Sequence, residues 1–328
     1  MKEEKPFFSV VVPVYNKEPH IARSINSILN QTFTDFELII VCDPSTDNSN
    51  AEVAKFTDPR IRVFHRDKPG PGGYAARNLG IKEAKADWVA FLDADDEWYP
   101  EHLKSYKKVI IENPEIEMIT SGWVDTASEE RVSSFYLANK ESSLFDFKDY
   151  LKSNILGQGM VWTSVVCITK RTLLNAGMFP EDKITMGGDI DTWTRCLAQI
   201  RKIFYVGSIN AIYYRDSVNM VTKTSIINPC LHIDTVNILS GNEIDNEIKD
   251  LLMRNANTYI KNAWINNLRV NYKKNFKLAD FLYLNSCLSK KEKIYIKISN
   301  LHPYISKNIM YIIWNLLRLK RKLVRYIK

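Results

Sequence analysis

The stretch "WVAFLDADDEWYP", residues 88–100, decides the fold of this chain, because an apolar run ends abruptly in four acidic side chains. The run up to Leu92 has the continuous apolar pattern of a strand that is buried on both faces, which is typical of a parallel sheet. Ligands of such sheets bind beyond the carboxyl ends of the strands. The sequence therefore predicts a binding site where Asp93 follows this strand.

Three earlier segments have the same strand pattern and alternate with helical patterns, as expected for an α/β fold. The predicted strands are "FFSVVVPVYN" (7–16), "FELIIVCD" (36–43) and "IRVFHRD" (61–67). Ile21, Ile25 and Ile28 have helical spacing between the first two strands. The N-terminal half is therefore predicted to form a parallel sheet.

The later part of the chain is predicted to change from α/β to helical. Residues 127–160 are less regular and are predicted to form loops over a cleft, whereas "DIDTWTRCLAQI" (189–200) is helical. "KIFYVG" (202–207) and "AIYYRD" (211–216) are interpreted as two strands. Beyond Tyr214 glycine is scarce and long helical patterns follow. We expect two domains, 1–225 and a helical region, 226–328.

Composition is typical of a folded protein with reduced thiols. The 328 residues are 45% hydrophobic, and five dispersed cysteines lack any CxxC pair, which disfavours a disulfide framework and structural zinc. The first residues do not have a signal-peptide pattern, and no stretch reaches the ~20 apolar residues that span a bilayer. A cytoplasmic location is expected.

Polar residues follow the predicted strands and are expected to meet at one edge of the sheet. Tyr15 and Asp43 follow the first two strands, and Asp93 and Asp95 alternate about Ala94, so both carboxylates can point to the same side. A hard cation such as Mg²⁺ or Mn²⁺ can offset this charge. The alternative is a solvated turn or a helix cap, which is the prediction for Asp96 or Glu97.

Four motifs in order make the sequence resemble a family 2 glycosyltransferase of the GT-A fold over roughly residues 7–216. They are "SVVVPVYNKE", "ELIIVCDPSTDNS", "GYAARNLGIKEAKADWVAFLDADD" and "GGDIDTWTRCL". The resemblance implies a GT-A (Rossmann-like), mostly parallel central sheet with helices on both faces. The residues after it form a C-terminal helical annex.

By resemblance, specific residues have roles in binding a nucleotide-sugar donor, with UDP as the expected nucleotide. The matching residues are Val12, Pro13, Tyr15 and Glu18 in the nucleoside segment, Asp43 for the base, Arg77 for the diphosphate, and Asp93, Ala94 and Asp95 in the D-x-D motif. Asp93 would face the ribose and Asp95 would hold the metal. The alternatives are a strand end at Pro13 and Tyr15, a turn cap at Asp43 and a surface ion pair at Arg77.

By resemblance, Asp189 takes the position of the catalytic base, which removes the proton from an acceptor hydroxyl. Gly188 departs from the family, where a glutamate is common, and this puts the acceptor chemistry in question. Asp189 could instead cap the helix that follows. Asp191 could be structural or face the acceptor, and Trp193 could stack on an acceptor sugar or belong to the core.

The C-terminal segment carries the positive charge of the chain. Residues 289–328 hold eleven Lys/Arg and one acid, a net charge of +10, whereas the first 288 residues hold 34 Lys/Arg and 37 acids, a net charge of −3. The segment has an apolar face, Ile309, Ile312, Ile313, Leu316, Leu323, Val324 and Ile327, and a basic one, Arg318, Lys320, Arg321, Lys322, Arg325 and Lys328. This is typical of a helix on anionic lipid. Packing on the body or a homo-oligomer contact is the alternative, and nucleic acid is not expected.

The resemblance implies an inverting, metal-dependent glycosyltransferase that extends a bacterial surface glycan such as capsule or O-antigen. A glycan or lipid-linked acceptor is expected, at the cytoplasmic face of the inner membrane. A sugar nucleotidyltransferase, or a nucleotide-sugar-binding protein without turnover, are the alternatives.

Overall fold

The computed structural model describes residues 5–126, 131–181, 184–215, 217, 225–241, 244–283 and 288–326 of the chain. The chain divides into two compact units, Met1–Val221 and Thr222–Lys328. The first unit is built on a mixed sheet and the second is helical.

The sheet of the first unit has the strand order β3-β2-β1-β4-β9-β6-β10-β5, with β7 beside β6 and β8 beside β10. The strands are β1 Phe8–Val14, β2 Phe36–Cys42, β3 Ile61–His65, β4 Trp88–Phe91, β5 Glu97–Trp98, β6 Met118–Asp125, β7 Arg131–Val132, β8 Ser143–Asp146, β9 Cys167–Thr169 and β10 Lys202–Tyr213. Strands β3, β2, β1 and β4 are parallel, as are β6 and β10. Strand β9 lies antiparallel between β4 and β6. The predicted α/β class with a parallel N-terminal sheet is confirmed.

Helices connect the parallel strands and cover the sheet. They are α1 Ile21–Leu29, α2 Ser49–Ala54, α3 Tyr74–Glu83, α4 His102–Glu112, α5 Ser134–Ala138, α6 Phe147–Ile155, α7 Lys170–Asn175 and α8 Gly188–Ile200. Helix α1 buries Ile21, Ile25 and Ile28, the apolar face that its spacing predicted. Helix α3 lies close on β1 at Gly80, where an added Cβ would come within 2.4 Å of Val11 Cγ1. This close approach fixes the start of α3 near the carboxyl end of β1.

Two predictions about the later strands are wrong. Residues 131–155, expected to be loops, form β7, α5, β8 and α6. The segments 202–207 and 211–216, expected to be two strands, are not separate strands, because residues 202–213 form the single strand β10; residue 216 lies outside the described residues. Two irregularities between Val206 and Ala211 interrupt the pairing of β10 with β6, which explains why the hydrophobic pattern looked broken there.

The second unit consists of α9 Cys230–Ser240, α10 Asn246–Asn271, α11 Lys290–Ser299 and α12 Pro303–Tyr326. Buried amides on α10 hold neighbouring segments by paired hydrogen bonds to backbone. Asn257 accepts from the Tyr283 N–H at 2.8 Å and donates to its carbonyl at 3.2 Å. Asn267 binds Ile227 in the same way, at 2.9 and 3.0 Å. Among the described residues, no helix combines the length and apolar character needed to cross a bilayer.

Candidate active site

The acidic loop, Asp93–Glu97, is separated from β4 by Leu92 alone. Basic side chains from two other elements hold it. The Lys17 ammonium, from the loop after β1, lies 2.6 Å from Asp95 Oδ2. Arg77 on α3 pairs with Asp93. The loop after β1 therefore meets the loop after β4 at this edge of the sheet, as the sequence predicted.

The prediction that Asp96 lies in a solvated turn or caps a helix is wrong. Its side chain is buried and accepts hydrogen bonds from Ser164 Oγ at 2.7 Å and, more weakly, from the Tyr214 N–H at 3.4 Å. Burial, together with the charges of Asp93 and Asp95, raises the pKa of the Asp96 carboxyl well above its ordinary value. Glu97 lies on β5 and accepts from the Tyr214 hydroxyl at 2.8 Å, and the cap position of α4 is taken by Glu101. Asp96 and Glu97 therefore brace the loop from behind.

Asp43 follows β2 directly and is buried. Its Oδ1 accepts from Arg66 Nη1 at 2.6 Å, and its Oδ2 accepts from the Gly70 N–H at 3.1 Å. Asp43 therefore holds the loop that leads to α3. The alternative interpretation, in which its side chain stabilises a turn, describes the bonds that Asp43 makes here. Tyr15 is 43% exposed at the end of β1, where an aromatic ring is available to a ligand.

Three donor-site residues of the sequence prediction have side chains committed elsewhere. Val12 and Ala94 belong to the buried core, so neither side chain lines a site, and a donor could meet only their backbone. Glu18 accepts from the Asn48 N–H and from its side-chain amide, each at 3.0 Å. Glu18 thus stabilises the start of α2, and these bonds lower the pKa of its carboxyl. Pro13, by contrast, is only half-buried, with its Cβ near Gly73.

Asp189 lies in the first turn of α8, and its half-buried carboxylate is the second centre of the site. Burial raises the pKa of the Asp189 carboxyl; Asp93 raises it further, and the Ile190 N–H and the Arg77 guanidinium lower it. The Thr163 hydroxyl donates to Asp189 Oδ2 at 3.4 Å. Burial near the charge of Asp93 thus makes this carboxylate more basic than an ordinary aspartate, a property that proton transfer by a general base can use.

Gly188 departs from the family for a steric reason that is visible in the structure. An added Cβ would lie 2.7 Å from Pro180 Cγ and 2.8 Å from the ring of Tyr74. The buried Tyr74 ring stacks on Phe179, and its hydroxyl accepts from the Gly188 N–H at 2.9 Å. Tyr74 thus fills the space that a side chain at position 188 would occupy.

The side chains of Asp191 and Trp193 are buried, which favours the structural alternative given for each of them over contact with an acceptor. Asp191 is 1% exposed and pairs with Arg195 one turn further along α8, at 2.7 Å. Trp193 is also 1% exposed, with its ring centroid 5.3 Å from that of Phe179 and 5.8 Å from that of Phe91. Both side chains anchor α8 to the body of the unit.

Four residues of the site had no assigned role in the sequence analysis, namely Lys17, Tyr74, Thr163 and Ser164. Lys17 adjoins the "YN" motif, so its position after β1 could have suggested contact with the acids of β4. Tyr74, Thr163 and Ser164 belong to segments whose hydrophobic pattern does not indicate which strand end they approach. Only the tertiary fold brings them together.

The residues present fit a divalent cation bound together with a diphosphate. In the described part of the chain no three His, Cys, Asp or Glu side chains form a preformed metal cluster. Mg²⁺ and Mn²⁺ need fewer protein ligands when a substrate phosphate supplies the rest. Asp93 and Asp95 would be the protein ligands of such an ion, and the Lys17 ammonium 2.6 Å from Asp95 Oδ2 fits a position that holds positive charge.

Residues 9–162 match the family model described as glycosyl transferase family 2, and this segment contains the acidic loop, Asp43 and Arg77. This segment, just under half of the chain, is of the glycosyl transferase family 2 type. A relative, an uncharacterized glycosyltransferase of Rickettsia conorii, is 34% identical over 189 residues, which are 56% of this chain and 29% of the relative. The chain covers only 15–29% of the first rickettsial relatives that it matches.

Two further similarities concern proteins with named substrates. WfgD of Escherichia coli is named a UDP-Glc:α-D-GlcNAc-diphosphoundecaprenol β-1,3-glucosyltransferase. It is 30% identical over 172 residues, which are 52% of this chain and 63% of WfgD. The structure of Staphylococcus aureus TarS residues 1–349 with UDP-GlcNAc superposes with a TM-score of 0.70 at 18% identity, covering 93% of this chain and 91% of that one. At that identity the likeness to TarS concerns the fold, which is the expected GT-A architecture.

We expect Asp191→Asn to lower the free energy of unfolding by about 3 kcal/mol, because the nearly buried Arg195 guanidinium would lose its counter-charge. Urea denaturation followed by circular dichroism measures the loss. The matched control is Asp250→Asn, which removes an i,i+4 pair of exposed side chains in α10 and should cost less than about 0.5 kcal/mol. Equal losses in the two variants would contradict the structural role of Asp191.

Proposed function

We propose that this chain is an inverting, metal-dependent glycosyltransferase that moves a sugar from a UDP-sugar to a hydroxyl group of a glycan or lipid-linked acceptor. The observation that carries the proposal is the pairing of two centres. The acidic loop with Arg77 forms one, and the Asp189 carboxylate with its raised pKa forms the other.

The donor half would bind the nucleotide and its diphosphate. Tyr15 offers an exposed aromatic ring to the base, and Asp43, at the end of the neighbouring strand, would bind the base only by sharing the oxygens that already accept from Arg66 and Gly70. Arg77 suits a diphosphate through its fork of donors. The UDP-GlcNAc complex of TarS and the UDP-Glc donor in the name of WfgD support a uridine nucleotide.

The acceptor half would carry out the proton transfer. The acceptor hydroxyl gives its proton to the Asp189 carboxylate while its oxygen attacks the anomeric carbon. The bond from that carbon to the diphosphate oxygen breaks, and the electron pair leaves with the nucleoside diphosphate. Attack from the side opposite the leaving group inverts the configuration. Arg77 stabilises the charge that develops on the diphosphate.

Asp95, with Asp93 beside it, would hold the divalent cation, Mn²⁺ or Mg²⁺. When bound, this cation neutralises diphosphate charge as a Lewis acid. Lys17 would have to leave Asp95 Oδ2 as the cation is bound, and Arg77 would exchange part of its pairing with Asp93 for the diphosphate.

A lipid-linked acceptor would explain the basic C-terminal helix, and the undecaprenol diphosphate in the name of WfgD supports this acceptor class. The reaction would then serve bacterial surface polysaccharide synthesis at the cytoplasmic face of the inner membrane. Five apolar side chains on α12 are exposed to solvent: Tyr304, Ile305, Tyr311, Ile312 and Leu316. Ser306 and Met310 are buried and attach the helix to its own unit. The basic residues 318–325 continue the same helix.

We expect Asp189→Asn to reduce transfer by at least about 10³-fold, because the amide cannot accept the acceptor proton, while the donor dissociation constant is unchanged. A thermal-shift screen of nucleotide sugars with Mn²⁺ first identifies the donor. Release of nucleoside diphosphate then measures turnover, and calorimetry measures donor binding. Asp87→Asn, at an exposed carboxylate, serves as the control.

Several outcomes would contradict the assignment. Undiminished turnover in Asp189→Asn would remove Asp189 as the base. Pyrophosphate release from a nucleoside triphosphate and a sugar phosphate would identify a nucleotidyltransferase. Donor binding with neither transfer nor donor hydrolysis in the unaltered protein would identify a binding protein.

We expect Asp95→Ala to weaken donor binding by about tenfold or more in the presence of Mn²⁺, because one cation ligand is lost. EDTA should weaken donor binding to the unaltered protein and have little further effect on the variant. The control is Asp58→Ala, whose carboxylate pairs with Arg60 on the β3 side of the unit. A donor affinity that responds neither to EDTA nor to Asp95→Ala would contradict cation binding at this loop.

We expect α12 to bind anionic membranes through the exposed apolar side chains and the basic residues that follow them. In flotation with phosphatidylglycerol vesicles, Lys320→Glu/Arg321→Glu/Lys322→Glu should lower the apparent affinity by at least about a hundredfold, because each positive charge lost costs roughly 1 kcal/mol and each glutamate adds repulsion. Ile312→Ser/Leu316→Ser should also weaken binding. These changes leave the buried Ser306 and Met310 in place, which a deletion would not.

The matched control reverses Lys104 and Lys108, which are exposed on α4 of the first unit. It should float like the unaltered protein. Equal flotation of all variants, or equal binding to neutral vesicles, would reject the membrane assignment and favour a contact between protein copies.

A further inference from the structure

The one-turn helix Thr163–Val165 contacts the acidic loop through Ser164. The buried Ser164 hydroxyl accepts from the Asp93 N–H at 3.1 Å and donates to Asp96 Oδ2 at 2.7 Å. Its carbonyl accepts from Trp98 Nε1 at 2.6 Å. This residue thus fixes both the start of the acidic loop and the strand that follows it.

The preceding residue, Thr163, contacts the other centre of the site. Its side chain is buried, and its hydroxyl donates to Asp189 Oδ2 at 3.4 Å. Two consecutive residues therefore hold the acidic loop and the Asp189 carboxylate, which are almost a hundred residues apart in sequence.

Helix α3 makes the same double connection from the other side. Arg77 pairs with Asp93, and Tyr74, one turn earlier, accepts from the Gly188 N–H at 2.9 Å. The start of α8 needs this support, because the residue before it, Gly187, has a φ of 91° and no side chain that could cap the helix. The Tyr74 hydroxyl takes the place of the missing cap.

We infer that Thr163 and Tyr74 are positioning residues that set the Asp189 carboxylate in register with the acidic loop. The inference rests on the proposed function of Asp189 as the base. Tyr74 would act on the backbone of the first helical turn, and Thr163 on the carboxylate itself. Neither needs to touch the donor.

The two contacts differ in what they do to the protonation of Asp189. A hydroxyl that donates to a carboxylate favours its charged form, so removing the Thr163 hydroxyl raises the pKa of Asp189. The other titratable or charged groups that interact with this carboxylate are Arg77 and Tyr74 on α3, Asp93 in the acidic loop and Tyr150 on α6. They remain in place when Thr163 is changed, so the direction of the effect is defined.

The test is Thr163→Val, which keeps the shape of the side chain and removes its hydroxyl. We expect kcat to fall about tenfold, which corresponds to one hydrogen bond to a charged group. The donor dissociation constant and the melting temperature should change little. The acid limb of the pH profile of kcat should move to higher pH. Thr163→Ser, which restores the hydroxyl, should return both kcat and the acid limb toward the unaltered values.

Tyr74→Phe provides the second measurement, because the ring stays stacked on Phe179 and only the hydroxyl is lost. We expect kcat to fall about tenfold with donor affinity unchanged, since the Gly188 N–H would lose its acceptor. A fall in donor affinity that accounts for the whole loss of activity would show that these residues act on the donor site and would overturn the inference.

Asp189→Asn separates the two hypotheses. If that variant remains active, the proposed function of Asp189 fails. If it is inactive while Thr163→Val and Tyr74→Phe keep the kcat and pH profile of the unaltered protein, only the positioning inference fails. A lower kcat in Thr163→Val that Thr163→Ser does not restore would also overturn it.

Discussion

Each carboxylate of the acidic loop, Asp93–Glu97, has its own partner, and the architecture of the first unit depends on these pairings. Lys17 and Arg77 compensate the two carboxylates at the front, while Ser164 and Tyr214 bind the two behind. Burying charge without such partners costs several kcal/mol for each group. The partners come from four separate segments, so the sheet, α3 and the Thr163–Val165 turn must all be in place before the loop can adopt this form.

The same requirement explains why the site has two centres and a single scaffold. Two of the segments that compensate the loop also contact the start of α8. Thr163, beside Ser164, contacts Asp189, and Tyr74, on the same helix as Arg77, contacts Gly188. Rigid elements with adjacent contacts transmit position over short distances better than loops do. The charge balance of the acidic loop and the position of Asp189 therefore depend on the same two pieces of backbone, α3 and the Thr163–Val165 turn.

Much of this arrangement could be predicted from local patterns. Continuous apolar runs identified β1, β2 and β4, and the position of Asp93 and Asp95 directly after β4 indicated the edge of the sheet where the site lies. Helical periodicity identified α8 and placed Asp189 in its first turn. These features depend on neighbours in sequence, which is why a single sequence contains them.

The errors concern residues whose environment is set by distant segments. Asp96 was expected in solvent because acids usually are, but Ser164 and Tyr214 arrive from far along the chain to bury it. Trp193 fits either an acceptor platform or a core, and only the packing of Phe179 against it decides. Between residues 131 and 155, short elements with little periodicity concealed β8, which pairs with a strand some sixty residues later.

The contact between Tyr74 and Gly188 has a consequence for how such an enzyme can change over evolution. The two positions are 114 residues apart, yet they share one volume, so neither can be altered freely while the other stays as it is. A lineage that acquires a side chain at position 188 must make room on two sides, by reducing the ring at position 74 and by moving or replacing Pro180. A large aromatic ring at position 74 and a side chain at position 188 therefore exclude each other, and a descendant of this chain can carry only one of the two.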